Sequence, residues 1–238
     1  MSSQIVPLNF IQHGHLKLKE DPNFTHLSKE QLLPVTVHEF SRVGAQLPII
    51  FVKSSTDGKC RAVTMMGVEP GQNIVLGSNV VDESHYPNVV HLYPISLAQA
   101  NENSEQLTIL INQESHLLSE QEGNALFDEA GEQTPYLQQR SEKSARFIEQ
   151  SHLTDKAIEM LQEHKLLVEQ QLRMQLPKGR SREINGVYIV DEKRLTEISD
   201  ELFISFRKSG LLVAIYAHLM SLQHIHRLAK IYAQRIDE

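Results

Sequence analysis

Histidine is the residue type in this chain whose number and spacing most suggest chemistry. There are twelve histidines, and His13 and His15 stand two positions apart. On an extended segment, residues two apart point to the same side, so these two imidazoles could bind one metal ion. No further histidine or carboxylate follows at a spacing typical of a metal site. We therefore predict no metal site and no bound cofactor, and we interpret the two residues as surface or hydrogen-bonded histidines.

The remaining histidines do not complete a catalytic motif. His38 and Glu39 begin the HExxH pattern of zinc proteases, but Arg42 occupies the place of the second histidine. His218 lies beside an apolar stripe, which favours a buried and hydrogen-bonded histidine over a catalyst. The chain also lacks the glycine-rich motifs of nucleotide-binding proteins and the GxSxG motif of hydrolases. The sequence thus identifies no catalytic residue; it leaves enzymatic activity open and favours its absence.

A small-molecule site is the alternative interpretation. Ligands commonly bind in clefts between layers of a fold, and polar side chains from predicted loops could line such a cleft between the two halves of the chain. Under this alternative the protein binds a small molecule or is an enzyme. The residues we expect at the cleft are His13, His15, His85, Tyr86 and Tyr93.

Composition narrows the classes of function. A net charge of -7 gives no electrostatic basis for nucleic-acid binding. The single cysteine, Cys60, cannot form an intramolecular disulfide, which is typical of a reducing compartment, and we interpret it as a buried structural thiol. The first residues do not have the pattern of a signal peptide, and no apolar run is long enough to span a bilayer. We therefore expect a soluble cytoplasmic protein with no transmembrane segment.

Hydrophobic patterning predicts an α+β fold whose N-terminal half would carry the histidines and tyrosines on its loops. Residues 1–132 form a β-rich half and residues 133–238 a mainly helical half, and we expect the two to make one integrated domain. Short apolar runs separated by turn residues such as Asp57-Gly58 indicate an antiparallel β-meander in the first half. The predicted strands cover residues 47–52, 60–68, 73–77, 90–93 and 107–111.

Helix signals dominate the second half. Thr134 and Pro135 are the residue types of a helix start, and Thr154 is predicted to cap a second helix. Alternating apolar residues then indicate an inserted β-hairpin, with one strand near residues 172–176 and the other near residues 184–190.

A long amphipathic helix is predicted at the C-terminal end. Asp191 and Ser199 are predicted caps of two short helices, and Gly210 is placed to end the second. The last helix follows and carries an apolar stripe with spacings of three and four. Such a stripe either closes the protein's own core or binds a protein partner or a second copy, and both readings stay open. The residues of this stripe are Leu212, Ile215, Leu219 and Leu222.

Seven segments, in order along nearly the whole chain, resemble the bacterial SapC family. Their sequences are PVTVHEF, LPIIF, MMGVEPGQNI, HYPNVVHLYP, GNALFDEAGEQTPYL, GVYIVDEKRL and SGLLVAIYAHLMSL. The chain departs from the family where Leu47-Pro48 stands in place of the usual Tyr-Pro.

The resemblance implies a function only in outline. The family is linked by its name to paracrystalline surface layers and is not an established class of enzymes, so it supplies no catalytic residues. Together with the absence of catalytic motifs and the amphipathic C-terminal helix, the resemblance supports a soluble, non-catalytic accessory protein that binds a protein partner in surface-layer, envelope or nutrient-uptake pathways. This is our first hypothesis, beside the small-molecule alternative.

Overall fold

The computed structural model describes residues 4–78, 80–99, 107–175 and 181–236. The chain folds into two compact units: unit 1 comprises Met1–Asn23 and Val90–Glu149, and unit 2 comprises Phe24–Val89 and Gln150–Glu238. Each unit draws segments from both sides of residue 132, and the domain boundary expected there stays a prediction. In chain order the helices and strands are β1 (Ile5–Pro7), α1 (Phe10–His13), β2 (Lys17–Leu18), β3 (Leu32–Pro34), α2 (Phe40–Val43), β4 (Ile49–Lys53), β5 (Cys60–Met65), β6 (Ile95–Gln99), β7 (Leu107–Asn112), β8 (Leu118–Ser119), β9 (Asn124–Ala125), α3 (Pro135–Glu163), β10 (Leu167–Gln175), β11 (Ser181–Val190), α4 (Glu192–Thr196), α5 (Asp200–Ser209), α6 (Leu211–Ser221) and α7 (Ile225–Ile236).

Unit 1 contains two small antiparallel sheets. The first has the strand order β1-β7-β6, so that Ile111 of β7 pairs with Val6 on one side and with Ile95 on the other. The second has the order β8-β2-β9. Apolar side chains of these strands, of the loops between them and of the start of α3 meet in one buried cluster, which is the core of this unit. Its members are Leu18, Ile95, Ile111, Leu117, Leu126 and Leu137.

Unit 2 contains a five-stranded antiparallel sheet with the order β10-β11-β4-β5-β3. The hairpin of β4 and β5 ends at the pair Lys53 and Cys60, and Cys60 is buried as expected. Burial raises the pKa of the Cys60 thiol, which keeps it protonated and unreactive. The predicted second hairpin is β10 and β11, and Tyr188 of β11 pairs with Phe51 of β4. A segment from the second half of the chain therefore completes a sheet that the first half begins.

Helices pack against this sheet. α6 contacts β4, β11, α2 and α5. Gly210 ends α5 with a φ of 78°, the left-handed conformation that glycine adopts without strain. A 3-10 turn, Leu222–His224, separates α6 from α7. Among the described residues no single helix has the length and apolarity to cross a bilayer; Asp200–Ser209 and Leu211–Arg235 meet that criterion only as a pair, across a bend of 89°.

The α+β prediction is confirmed, with antiparallel sheets, a strand-rich N-terminal half and helices. Local capping signals are confirmed too. α3 begins at Pro135, and the Leu137 N–H donates to Thr134 Oγ1 at 3.3 Å. Asp191 and Ser199 cap α4 and α5 through their side-chain oxygens.

Two predicted strands are wrong. Residues 73–77 form turns because Asn73 Oδ1 accepts the N–H groups of Val75 and Leu76, both at 3.1 Å, which folds the backbone back on itself. The predicted strand at 90–93 is replaced by a 3-10 helix, Asn88–His91, that follows Pro87.

The prediction that Thr154 caps a second helix is also wrong, because α3 runs unbroken through this position. Thr154 Oγ1 donates to Gln150 O at 2.7 Å, the bond back to the preceding turn that a threonine inside a helix can make. The same oxygen accepts the Val37 N–H at 3.0 Å. The hydroxyl therefore satisfies a backbone group of another segment and does not start a helix.

Candidate functional site

The two histidines that suggested chemistry have different surroundings in unit 1. His13, at the end of α1, is buried, with Nδ1 3.1 Å from Asn9 N and Nε2 2.9 Å from the Gln113 amide nitrogen. His15 is exposed, with Nε2 3.7 Å from a carboxylate oxygen of Glu120. The helical turn of α1 replaces the extended segment that would have pointed both imidazoles to one side. His13 therefore has its ring nitrogens engaged inside the unit, while His15 faces solvent.

Tyr93, the third predicted ligand residue of unit 1, is partly buried. Asn112 Nδ2 donates to its hydroxyl at 3.4 Å. Arg140 of α3 donates through Nη2 to the carbonyls of Tyr93 at 2.7 Å and Leu92 at 3.2 Å. The guanidinium therefore fixes the backbone at the start of β6.

The other two predicted ligand residues, His85 and Tyr86, lie in unit 2. His85 is half-buried, with Nδ1 3.2 Å from the Ser84 hydroxyl. The Tyr86 ring is buried edge-on against Phe24, with centroids 5.9 Å apart, and burial raises the pKa of its hydroxyl. The five residues are thus divided between the two units, and a role for any of them in binding a ligand stays a prediction.

An ion pair between the buried carboxylate of Glu39 and the partly exposed guanidinium of Arg42 fixes the loop around Tyr86. Glu39 is buried, and its carboxylate accepts the Thr36 N–H at 3.1 Å and the Asn88 N–H at 2.6 Å. Arg42 lies 2.9 Å from the same carboxylate and donates to Tyr86 O at 2.6 Å. We call Thr36, Glu39, Arg42 and Asn88 the polar clamp. Its carboxylate is satisfied by protein donors, which is the arrangement of a structural ion pair.

One sequence signal could have found the polar clamp. Thr36 and Glu39 have the spacing of a capping box, and that box is present at the start of the 3-10 turn Val37–Glu39. Arg42 follows one turn later, where its side chain can reach the carboxylate of Glu39. The partner Asn88 lies 49 positions from Glu39, and nothing in the local sequence indicates it.

His218 joins two strands of the sheet of unit 2. The side chain is fully buried in α6; Nε2 accepts the Val190 N–H at 3.1 Å, and Nδ1 lies 3.0 Å from Ile49 O, to which it donates. Burial lowers the pKa of His218 to about 4, so the ring is neutral at physiological pH, and only the neutral ring can accept the Val190 N–H. The expectation of a buried, hydrogen-bonded histidine is confirmed.

Unit 2 also holds a small apolar crevice between α6, α3 and β4. Its volume of about 10 Å³ has room for about one water molecule. The lining side chains are apolar, so the crevice offers no polar group to orient a ligand; they include Phe40, Phe51, Ile158, Leu161 and Ile215. Among the described residues there is also no group of three or more histidine, cysteine or acidic side chains placed to hold a metal ion.

The predicted apolar stripe of the last helix faces inward for half of its length. Leu212 and Ile215 are buried, while Leu219 and Leu222 are partly buried. α6 contacts β4 and β11, so these side chains help to close the core of unit 2. A role of the stripe in binding a partner stays a prediction.

A second apolar face of α6 is open to solvent. Val213, Tyr216 and Met220 are 64%, 47% and 66% exposed, and their spacings of three and four place them on one side of the helix. We call these three residues the α6 strip. Large exposed apolar side chains that share one helix face are a typical feature of a protein-binding surface. The α6 strip is therefore the candidate functional site.

The segment that carries the α6 strip lacks acidic residues. Residues 211–235 contain no aspartate or glutamate. His226 and Lys230 are exposed on α7. Residues 211–235 therefore carry apolar and basic side chains and no acidic one, although the chain as a whole is acidic.

Comparison with known protein families gives a match along most of the chain. The family model described as SapC matches residues 8–228. No curated protein and no solved structure is similar enough to the chain to count as a match.

Proposed function

Since the chain belongs to the SapC family, we propose that it is a non-catalytic accessory protein of the cytoplasm that acts by binding another protein. The proposed pathway is the formation of a surface layer, or an envelope or nutrient-uptake process. The family name supports the pathway, and the α6 strip supports the mode of action.

The α6 strip is the observation that carries this proposal. Solvent contact with a valine, a methionine and a tyrosine ring costs free energy that a partner recovers on covering them, at about 25 cal/mol per Å². The strip needs no rearrangement to bind, because Leu212 and Ile215 anchor the opposite face of α6 in the core. A rigid, preformed apolar face loses little conformational entropy on association.

The surroundings of the α6 strip favour a particular partner chemistry. His226 and Lys230 are exposed on α7, and neither α6 nor α7 carries an acidic residue that would repel an acidic partner. The proposed partner therefore presents an apolar surface flanked by carboxylates, such as an amphipathic acidic helix. Complementary charges at the rim of such an interface add specificity and speed association.

A photo-reactive amino acid placed at Val213 in the native host tests this proposal. We expect one discrete protein adduct, which mass spectrometry identifies. The matched control carries the same group at Leu153, an apolar residue of α3 in the same unit that is 44% exposed. A Met220→Asp substitution in the Val213 variant should abolish the adduct. Equal adducts at both positions, or none at Val213, would contradict a binding role for the α6 strip.

A further inference from the structure

α5, the helix before Gly210, exposes more of its surface than α6 does. Only Phe206 is buried and Leu202 partly buried; the remaining side chains of α5 are exposed. One exposed side of α5 combines two charges with two large apolar groups. At about 100° per residue these four side chains lie within an arc of about 100°. They are Asp200, Phe203, Ile204 and Arg207, and we call them the α5 strip.

The α5 strip is complementary to the α5 strip of a second chain that runs in the opposite direction. Its midpoint lies between Phe203 and Ile204, with Asp200 three positions before the first and Arg207 three positions after the second. When a second α5 is laid against it in the opposite direction, each Asp200 faces the partner's Arg207. Each Phe203 then faces the partner's Ile204. A two-fold axis makes both contacts twice, as in an isologous interface.

We propose that the chain forms a symmetric dimer in which two α5 helices pack antiparallel through the α5 strip. Phe203 and Ile204, 41% and 42% exposed in the single chain, form the apolar centre. Asp200 and Arg207 form an ion pair at each end. This arrangement has an apolar core and a charged rim, as protein interfaces do.

The charges of the α5 strip support a second copy as the occupant. Within the described part of the chain, neither Asp200 nor Arg207 has an ion-pair partner, whereas Arg42, Arg61, Arg173 and Arg194 each have one. Lys208 adds a second cation at the basic end, and Glu201 a second carboxylate at the acidic end. An anionic membrane would attract only the basic end and repel the acidic end. An antiparallel second copy of the α5 strip places an opposite charge against each end.

Light scattering during size-exclusion chromatography of the full chain, over a range of concentrations, is the first test. We expect the mass to approach twice the chain mass of 27.1 kDa as concentration rises. Phe203→Asp and Ile204→Asp should each return the mass to that of one chain. Leu153→Asp, at an apolar site of similar exposure, should leave it unchanged, and circular dichroism should show all three variants folded.

Charge reversal tests the antiparallel geometry itself. Asp200→Lys alone places an introduced ammonium group against Arg207 twice, and Arg207→Glu alone places two carboxylates together twice. Each substitution should therefore weaken the dimer by about tenfold or more. An equimolar mixture of the two variants should dimerise again, because each contact then joins opposite charges. The double variant carrying both substitutions should also recover.

The outcomes separate this dimer from the proposed function. The proposed dimer would be overturned by a mass of one chain at every concentration, or by a dimer whose mass the α5 substitutions do not change. Either result would leave the cross-linking result at Val213 unaffected. An adduct at Val213 that is another copy of this chain, lost with Ile204→Asp, would extend the dimer to α6. A different protein captured by the dimer would show that the two strips have separate partners.

Discussion

In α6, the polar residue His218 is buried and the apolar residue Met220 is exposed, which is the opposite of what their polarity alone would favour. The imidazole of His218 is fully buried, and the thioether of Met220 is 66% exposed, although only one residue separates them. The polar ring has two backbone partners, so its burial is compensated by hydrogen bonds. The apolar side chain has no such compensation.

The same contrast holds for the polar clamp and the α5 strip. The carboxylate of Glu39 is buried and accepts N–H groups of two segments, whereas Phe203 and Ile204 are exposed beside charges that no described residue pairs. A buried polar group that is fully bonded stabilises the fold. An exposed apolar group contributes little to the fold, and several that share one helix face are available to a partner. The contrast therefore separates residues that hold the structure from residues that can bind.

The first prediction compares two phenylalanines of α5. Phe206 is fully buried and lies with its ring centroid 5.9 Å from that of His164, while Phe203 is 41% exposed. We expect Phe206→Ala to lower the free energy of unfolding by about 3–5 kcal/mol, because it leaves a cavity in a packed core. Phe203→Ala should cost less than about 1 kcal/mol. Urea unfolding followed by circular dichroism measures both, and equal losses would show that Phe203 also belongs to the core.

The second prediction concerns the polar clamp. Arg42→Ala removes the cation, itself 38% exposed, beside a carboxylate that is 3% exposed. Because solvent screens the guanidinium in part, we expect the free energy of unfolding to fall by about 2 kcal/mol, less than for a fully buried pair. The control is Arg173→Ala, which breaks an ion pair with Glu183 between side chains that are 62% and 41% exposed. That exposed pair should contribute less than about 1 kcal/mol. A loss as small at Arg42 as at Arg173 would mean that the clamp does not stabilise unit 2.

The third prediction uses the titration of His218. Its pKa is about 4 in the folded protein against 6.5 for an unperturbed histidine, so the unfolded chain binds the extra proton first as pH falls. The stability that the neutral ring provides is complete above pH 6.5 and is lost progressively towards pH 4, by about 3 kcal/mol for the whole shift.

The pH dependence of a His218→Asn variant isolates that contribution. His218→Asn should be less stable than the wild type at pH 7.5, and the difference should shrink as pH falls towards 4 because the variant has nothing to protonate there. The control His226→Asn, at an exposed histidine of α7, should leave the free energy of unfolding at pH 7.5 close to that of the wild type. If the difference between His218→Asn and the wild type stays constant with pH, the ring is not the group that titrates.

Short-range features of the fold could be predicted from the sequence because their causes are local. The start of α3 at Pro135, the caps Asp191 and Ser199, and the end of α5 at Gly210 each depend on residues within one turn. The turns at 73–77 were mistaken for a strand because their apolar residues suit either structure, and the side chain of Asn73 decides between them.

Long-range features could not be predicted in the same way. The pairing of Phe51 with Tyr188 and the bond from Asn88 to Glu39 join segments with no shared local signal. The candidate site was missed for a related reason. α6 is apolar on nearly all sides, so periodicity detects the stripe that contains Leu212 and Ile215 but cannot tell which side other elements cover. Only the packing of α6 on β4 and β11 leaves the α6 strip outside.

The last prediction has the smallest effect on stability and tests the contrast most directly. Met220→Asp should change the free energy of unfolding by less than about 0.5 kcal/mol, because a side chain that is 66% exposed loses few contacts. It should nevertheless abolish the cross-link at Val213, because a carboxylate introduced into the apolar α6 strip must be desolvated without a partner when the strip is covered. Ile215→Asp, on the buried side of the same helix, should unfold the chain, because it places a carboxylate without a partner inside the core. If Met220→Asp instead destabilised the fold as Ile215→Asp does, the α6 strip would be part of the protein's own packing and would not be available to a partner.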